Sequence, residues 1–379
     1  MSTPYAKLPA WADYGLIPVI NLAVAFFVAG LVVLLVGESP LEAVKLMIEG
    51  AFGSGRGIGY TLYYATNFIF TGLAVAVAFH AGLFNIGGEG QASVAGVGVA
   101  IICLSFDSIL PWWLTYPLAI CAAALFGALW VLIPAWLQAY RGSHIVITTI
   151  MFNFIASSLM VYLLVYVFKP DGQQSPETRT FLEGANIPSL EPLLAMLGFA
   201  ARRTPLNITF FLALLAAVAV WVLIWRTKLG YEIRTMGFSQ KAARYAGISD
   251  KRIIIVTLLI SAALAGLMAL NPIMGAQDRM QLNFAGGAGF VGIAVALMGR
   301  SHPFGIVLAA LLFGMLYQGG AEIAFEMPNI TREMIVVIMG LVIFFAGALE
   351  HMFRPVVQTV FASLRPSSMG LAAKPAGDS

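Results

Sequence analysis

Long apolar stretches recur along this chain, and they constrain its fold more than any other feature. Of its 379 residues, 60% are hydrophobic and only 10% are charged, whereas a soluble domain carries about a quarter charged residues. A helix needs about 20 apolar residues to cross the hydrocarbon core of a bilayer. Ten stretches meet or approach that length: 17–36, 61–81, 91–106, 113–138, 145–168, 208–226, 253–270, 284–299, 303–318 and 334–349.

The sequence therefore predicts an all-α, polytopic membrane protein with about ten transmembrane helices. Three of the stretches, 91–106, 284–299 and 303–318, are short and rich in glycine. Broken or re-entrant helices are an alternative interpretation of these three, because transporters often place discontinuous helices near the middle of the membrane.

The distribution of basic residues predicts the orientation of the helices. If the N-terminus lies inside and the ten spans alternate, 13 of the 21 Lys and Arg residues fall on the inner side. Because cytoplasmic loops carry the excess of basic residues, we expect both termini to lie inside. Residues 1–14 then form a cytoplasmic N-terminal segment, 15–353 the transmembrane domain and 354–379 a partly disordered cytoplasmic tail.

A polar run, Gly82–Gln91, lies between two of the apolar stretches, 61–81 and 91–106. Polar groups persist at membrane depth only where protein or a water-lined cavity surrounds them, so the run is a candidate element of a substrate pathway. Aromatic and amide side chains of the fifth span suit the same pathway. The candidate pathway residues are Phe84, Asn85, Glu89, Gln91, Phe152 and Asn153.

Two other interpretations of these polar residues stay open. An intramembrane amide also serves to join helices, and this applies equally to Asn67 and Asn271. Glu89, if it lies near the inner interface, is suited to cap backbone amides at the start of the third span, where the helix dipole favours an anion.

The inner segment 226–252 differs from the other loops, because it carries seven of the 13 inner basic residues. Within it, Ser239 is placed to cap a helix over Gln240–Ala246, which Gly247 would end. Such a helix is about 10 Å long and suits docking into a groove of another protein. A positively charged loop that happens to be helical is the alternative.

No catalytic, nucleotide-binding or metal-binding motif fits the chain. Residues Gly287–Gly292 match GxGxxG, but no strand precedes them, and close helix packing through small residues explains them better. The sequence contains neither a P-loop nor an HExxH or GxSxG motif. We therefore predict a non-catalytic protein without its own cofactor or metal, embedded in a lipid bilayer and not binding nucleic acid.

Four blocks of the sequence resemble one transporter family, the permeases of bacterial ABC importers for ribose and branched-chain amino acids. Within that family they are most similar to the nucleoside or simple-sugar branch. The polar run and the residues before it carry the most specific resemblance. The blocks are 78–91, 230–237 with 242–248, 261–266 and 292–305.

This resemblance implies partners that composition cannot show. It implies a permease in the bacterial cytoplasmic membrane that works with an ABC ATPase subunit, a second permease subunit, expected to be a paralogue, and an external substrate-binding protein. ATP and Mg²⁺ would bind the ATPase. The segment 226–252 would be the coupling region, and the residues expected to contact the ATPase are Arg234, Gly237, Ala242, Ala243, Arg244, Tyr245 and Gly247.

The substrate stays open at this point. Nucleosides or a simple sugar are favoured by the resemblance, and branched-chain amino acids or other small metabolites are alternatives. A stand-alone secondary transporter is the alternative from another class, but the sequence shows no convincing internal repeat of membrane-buried charge.

Overall fold

The computed structural model describes residues 16–196, 198–199, 204–331, 334–342, 344–345 and 358. Within them the chain is helical and contains no strand, only two isolated β-bridges. A π-helical turn, Leu137–Arg141, and a 3₁₀ turn, Glu183–Ala185, accompany the α-helices. The α-helices are α1 (Ile17–Leu35), α2 (Pro40–Phe52), α3 (Gly55–His80), α4 (Gly88–Phe106), α5 (Trp112–Trp136), α6 (Ile145–Tyr166), α7 (Glu191–Met196), α8 (Thr209–Arg226), α9 (Lys228–Phe238), α10 (Gln240–Tyr245), α11 (Asp250–Leu267), α12 (Leu270–Gly275), α13 (Ala288–Met298) and α14 (Pro303–Glu326).

The chain divides into two units, residues 1–41 with 329–379 and residues 42–328. The first contains α1, and in it the side-chain amide of Asn329 donates to Glu38 at 2.8 Å. The second contains α3 to α14 and every candidate functional residue.

Seven helical segments are long and apolar enough to cross a membrane, among the residues that the structure describes. They are Gly55–His80, Gly88–Phe106, Trp112–Arg141, Ile145–Tyr166, Thr209–Arg226, Asp250–Gly275 and Pro303–Glu326. These seven correspond to seven of the ten predicted spans, and two of the glycine-rich stretches, 91–106 and 303–318, lie in full-length helices. The described part of the chain is all-α, and its long apolar helices are those of a multi-pass membrane protein.

The remaining three predicted spans account for the difference from ten. The stretch 284–299 contains only the 11 residues of α13, which at 1.5 Å per residue cover about half of a 30 Å hydrocarbon core. Gly286 and Gly287 have left-handed backbone, with φ of 56° and 81°, so the helix does not begin before them. The stretch 17–36 corresponds to α1, which is not among the seven, and 334–349 lies partly outside the described residues.

The predicted orientation and terminal segments fall largely on residues that the structure does not describe. The segment 1–14 and all of the tail 354–379 except residue 358 lie outside the described residues. An orientation with both termini inside therefore stays a prediction.

Helix α3 is the centre of the second unit, and every residue from Ala65 to Ala78 is buried. It packs against α11, α13 and α14. Small residues permit these close approaches: a Cβ at Gly292 would lie 2.5 Å from the hydroxyl of Thr71, and one at Gly314 would lie 2.3 Å from the carbonyl of Thr61. Packing through small residues is the usual means of helix association in a bilayer.

The connection between α6 and α8 is fixed to the end of α4 by an ion pair. The fully buried carboxylate of Asp107 accepts from the Arg179 guanidinium at 2.7 and 3.0 Å, and from the amide of Leu182 at 2.9 Å. Burial alone would raise the pKa of Asp107, but these hydrogen bonds outweigh it and hold the pKa below its usual value. This part of the long connection is thus held against the bundle.

Candidate substrate pathway and coupling surface

Asn85 and Gln91 form a closed hydrogen-bonded pair at the turn before α4. The side-chain amide of Asn85 donates to Gln91 Oε1 at 3.1 Å, and Gln91 Nε2 donates back to Asn85 Oδ1 at 3.0 Å. Asn85 also accepts from the amide of Gly87 at 2.9 Å and donates to the hydroxyl of Ser261 at 3.0 Å. With 2% and 1% of their surfaces exposed, Asn85 and Gln91 hold the backbone of the polar run to α11.

Asn153 fastens the same run to α6. Its Oδ1 accepts from the amide of Gly90 at 2.9 Å, and its Nδ2 donates to the carbonyl of Ile86 at 3.0 Å. The neighbouring Phe152 packs edge-on against Trp130 of α5, with ring centroids 5.4 Å apart. The side chain of Asn153 therefore contacts the polar run, whereas the ring of Phe152 faces α5.

Glu89 joins the beginnings of two helices. Its carboxylate accepts from the amides of Gly287 and Gly289, both at 2.9 Å, at the start of α13. A carboxylate at this position satisfies otherwise unpaired amides and is favoured by the helix dipole. The capped amides belong to α13 and not, as the sequence suggested, to the start of Glu89's own helix.

The contact between the two helices is close enough to exclude any side chain. A Cβ at Gly289 would lie 2.2 Å from the backbone nitrogen of Glu89. Helices α4 and α13 therefore meet backbone to backbone at their N-terminal ends, with the Glu89 carboxylate closing the junction.

This junction lies beside interior turns of two neighbouring helices. Gly292, one turn after Gly289, packs on Thr71, which lies inside the 26-residue helix α3. Ser261, the partner of Asn85, lies eleven residues into α11, which is about 16 Å from the helix start. Glu89, the second residue of α4, thus lies beside interior turns of α3 and α11.

Phe84 is the most exposed of the six candidate pathway residues. About 36% of its surface is accessible, and its ring lies 5.1 Å from that of Phe79 between centroids. Glu89 and Asn153 are partly exposed, while Asn85 and Gln91 are buried.

Two further amides, Asn67 and Asn271, join helices. Asn271 donates to Asn67 Oδ1 at 2.8 Å and accepts from Asn207 at 2.7 Å. The chain of three amides connects α3, α12 and the start of α8, so the interpretation of Asn67 and Asn271 as helix-joining residues is confirmed.

The short helix in the segment 226–252 forms as the sequence predicts. Ser239 Oγ accepts from the amide of Ala242 at 3.3 Å at the start of α10, and Gly247, with φ of 75°, follows its end. Ala243 is buried beneath the helix, whereas Tyr245 is 95% exposed. The helix therefore presents Arg244 and Tyr245 outward from one end of the bundle.

A glycine connects this region to the polar run. A Cβ at Gly237, near the end of α9, would lie 2.2 Å from the carbonyl oxygen of His80 and 3.1 Å from the amide nitrogen of Gly82. Helix α9 is followed directly by α10. The contact at Gly237 therefore connects the outward-facing helix α10, through α9, with the beginning of the polar run.

Sequence reasoning missed the partners that complete the site. The hydroxyl of Ser261 accepts from the side-chain amide of Asn85 and donates to the carbonyl of Ala74 at 2.6 Å. The backbone amides of Gly287 and Gly289 donate to the Glu89 carboxylate. The GxGxxG match did mark Gly289 and Gly292 as close-packing positions, and both make such contacts.

These features define a class of protein. The architecture is that of a multi-pass membrane transport protein. It combines long apolar helices, a half-length helix whose N-terminus meets a carboxylate inside the bundle, and an exposed basic helix at one end. A family model described as "branched-chain amino acid transport system / permease component" matches residues 57–347. The chain belongs to this permease family.

Individual relatives are similar over most of their lengths. The guanosine ABC transporter permease protein NupP of Bacillus subtilis is 35% identical over 88% of this chain and 93% of its own. The nucleoside ABC transporter permease protein NupB of Lactococcus lactis is 34% identical over 87% of this chain and 90% of its own. The glucose ABC transporter permease protein TsgB13 of Haloferax volcanii is 34% identical over 90% and 89%. The chain is thus the permease subunit of an ABC transporter and not its catalytic subunit.

Proposed function

We propose that this permease subunit carries nucleosides across the bacterial cytoplasmic membrane in an ATP-driven importer. The observation that carries the proposal is that two relatives named for guanosine or nucleosides align with 87% or more of this chain. A simple sugar is the second candidate, because the relative named for glucose is equally similar.

The importer would contain partners besides this chain. An ATPase subunit would bind ATP and Mg²⁺, a second permease, a paralogue of this chain, would complete the pathway, and an external binding protein would deliver the substrate. Transport by alternating access requires that nucleotide bind the two states with different affinity.

We assign different tasks to the six candidate pathway residues. Asn85 and Gln91 hold the turn, since each is buried and their side-chain amides bond to one another. Asn153 fixes that turn to α6. Glu89 and Phe84, both partly exposed, are proposed to meet the substrate, and Phe152 to support the wall behind Asn153.

The chemistry of Glu89 and Phe84 suits a nucleoside. A carboxylate offers about four acceptor positions, and the amides of Gly287 and Gly289 occupy two of them. The remaining positions suit hydroxyl or N–H donors of a ribose or a base. An aromatic ring such as Phe84 provides a surface on which a base can stack.

The force for transport is proposed to enter through α10. Docking of Arg244 and Tyr245 on the ATPase would move α9, and the backbone contact of Gly237 with His80 and Gly82 would pass that motion to the polar run. Arg234, Ala242, Ala243 and Gly247 are proposed to shape the same docking surface.

A transport measurement tests the proposed substrate. The complete importer is reconstituted in liposomes, with ATP on the side of the membrane that carries the ATPase. We expect it to transport radiolabelled guanosine, and we expect unlabelled adenosine to compete with this transport. Excess glucose should leave this uptake unchanged. Uptake of glucose without nucleosides would support the second candidate, and uptake of neither would contradict both.

A second measurement tests docking through α10. Tyr245→Asp should reduce the ATPase that copurifies with the tagged permease by about tenfold or more, because an aspartate without a partner is costly to bury in an interface. Phe325→Asp is the matched control, since Phe325 is similarly exposed at 82% but lies near the end of α14. Equal recovery of ATPase with both variants would contradict docking through α10.

A further inference from the structure

A cavity of about 530 Å³ opens beside α10. Its walls come from three places in the sequence: the π-helical turn after α5, α10 itself, and the beginning of α11. The lining residues that matter here are Gln138, Tyr140, Arg244, Ser249, Asp250 and Lys251. Of these, only Arg244 is predicted from the sequence to be a functional residue.

Arg244 is held by one edge of its guanidinium and leaves the other edge available. Its Nε donates to the carboxylate of Asp250, whose side chain is only 12% exposed, while the Arg244 side chain is 71% exposed. Among the described residues no hydrogen bond from its two terminal nitrogens is present. A guanidinium oriented in this way offers a fork of N–H donors that matches a carboxylate.

Lys251 provides a second positive charge at the same cavity. Its ammonium lies 4.6 Å from the centroid of the Tyr140 ring, within the range of a cation–π contact. In the part of the chain that the structure describes, no acidic side chain pairs with it. Asp250 is already bonded to Arg244, so the two cations together leave the cavity with one uncompensated positive charge.

We propose that this cavity receives an acidic side chain, aspartate or glutamate, from the ATPase subunit. The inference rests on the proposed function, and it adds a second contact to the docking of α10. A carboxylate would bond to the free edge of Arg244 and approach the ammonium of Lys251. Because α10 forms one wall, a protein that docks on the outward face of α10 also covers the cavity.

The contact has a mechanical consequence. The cavity bridges the end of α5 and the beginning of α11, and these two helices are packed backbone to backbone further along. A Cβ at Gly127 would lie 2.5 Å from the carbonyl oxygen of Ala262, and one at Gly266 would lie 2.5 Å from that of Ala123. A carboxylate in the cavity would therefore move α5 and α11 as a pair, a route separate from the contact at Gly237.

The test measures how much ATPase copurifies with the full-length tagged permease. Lys251→Glu should reduce the recovered ATPase by about tenfold, because it places like charges against each other, while Lys251→Arg should retain it. Lys45→Glu is the matched control, since it makes the same charge change at an exposed position of α2, outside the segment 226–252 and away from the cavity. Equal losses with Lys251→Glu and Lys45→Glu would overturn the proposal, provided that the melting temperatures of both variants match that of the wild type.

A cross-link identifies the occupant directly. A photoreactive phenylalanine analogue in place of Gln138 should form a covalent product with the ATPase, and mass spectrometry should map it within a few residues of an aspartate or glutamate. A product with lipid alone would overturn the proposal. If no ATPase copurifies even with the wild type, the proposed function itself fails. If ATPase copurifies with the wild type, but Lys251→Glu recovers as much of it as the control variant and the analogue at position 138 forms no cross-link to it, only the cavity proposal fails.

Discussion

Replacing Gly289 with alanine should reduce transport at least about tenfold. The new Cβ would lie 2.2 Å from the nitrogen and 2.6 Å from the Cα of Glu89, and 2.7 Å from the carbonyl carbon of Gly88. All three are backbone atoms, so no rotation of a side chain relieves the overlap. Helices α4 and α13 must separate, and overpacking of this kind costs about 1–3 kcal/mol or more.

The expected loss is larger for transport than for stability. Separation of the two helices also weakens the bonds from Gly287 and Gly289 to the Glu89 carboxylate, and that carboxylate is the group proposed to meet the substrate. We expect ATP-dependent uptake to fall at least about tenfold, the effect of about 1.4 kcal/mol, while some folded protein is recovered.

A glycine with free space around it provides the control. Gly340 has no atom within 4 Å of an added Cβ, so Gly340→Ala should leave uptake and melting temperature unchanged. Glu89→Gln keeps the packing but replaces one acceptor oxygen with a donor. Its uptake should therefore lie between that of Gly289→Ala and that of Gly340→Ala. Wild-type uptake by Gly289→Ala would contradict the backbone contact between α4 and α13.

Local signals made α10 predictable from the sequence. The cap of Ser239 on Ala242 and the left-handed Gly247 lie within a few residues of the helix they bound. Such interactions depend only on short sequence separations and strongly preferred residue types. The same applies to the seven long spans, whose apolar lengths are set by the thickness of the bilayer.

The junction at Glu89 could not be predicted in this way. Its carboxylate bonds to amides 198 and 200 residues away, and no local pattern specifies such a partner. The length of α13 was missed for a related reason. Residues 284–299 are apolar enough to cross a membrane, but left-handed backbone at Gly286 and Gly287 delays the helix until Ala288.

Residue type alone does not show which polar side chains of the run contact the substrate and which only stabilise the fold. Asn85, Gln91 and Glu89 lie in one glycine-rich run, and their residue types alone suit substrate binding equally well. Burial divides them, because Asn85 and Gln91 are enclosed and paired with one another, whereas Glu89 is partly exposed. An enclosed amide pair is more useful for fixing a backbone than for meeting a solute.

Asn85→Ala should therefore destabilise the protein rather than impair substrate binding alone. The substitution removes the acceptor of the Gly87 amide at 2.9 Å and both bonds to Gln91. It leaves the Gly87 amide and the Gln91 side chain buried without these partners, at a cost of about 1–3 kcal/mol for each group. We expect a clearly lower melting temperature in detergent and less assembled complex.

The matched control for Asn85→Ala is an amide with a similar bond at the surface. Asn329 donates to Glu38 at 2.8 Å in an exposed position, so Asn329→Ala should hardly change the melting temperature. The decisive comparison is between melting and uptake for Asn85→Ala. If the variant melts like the wild type and assembles fully but takes up no guanosine, Asn85 meets the substrate, and its assignment to the scaffold is wrong. If melting and assembly fall together with uptake, the pair of Asn85 and Gln91 holds the turn that delivers Glu89 to the start of α13.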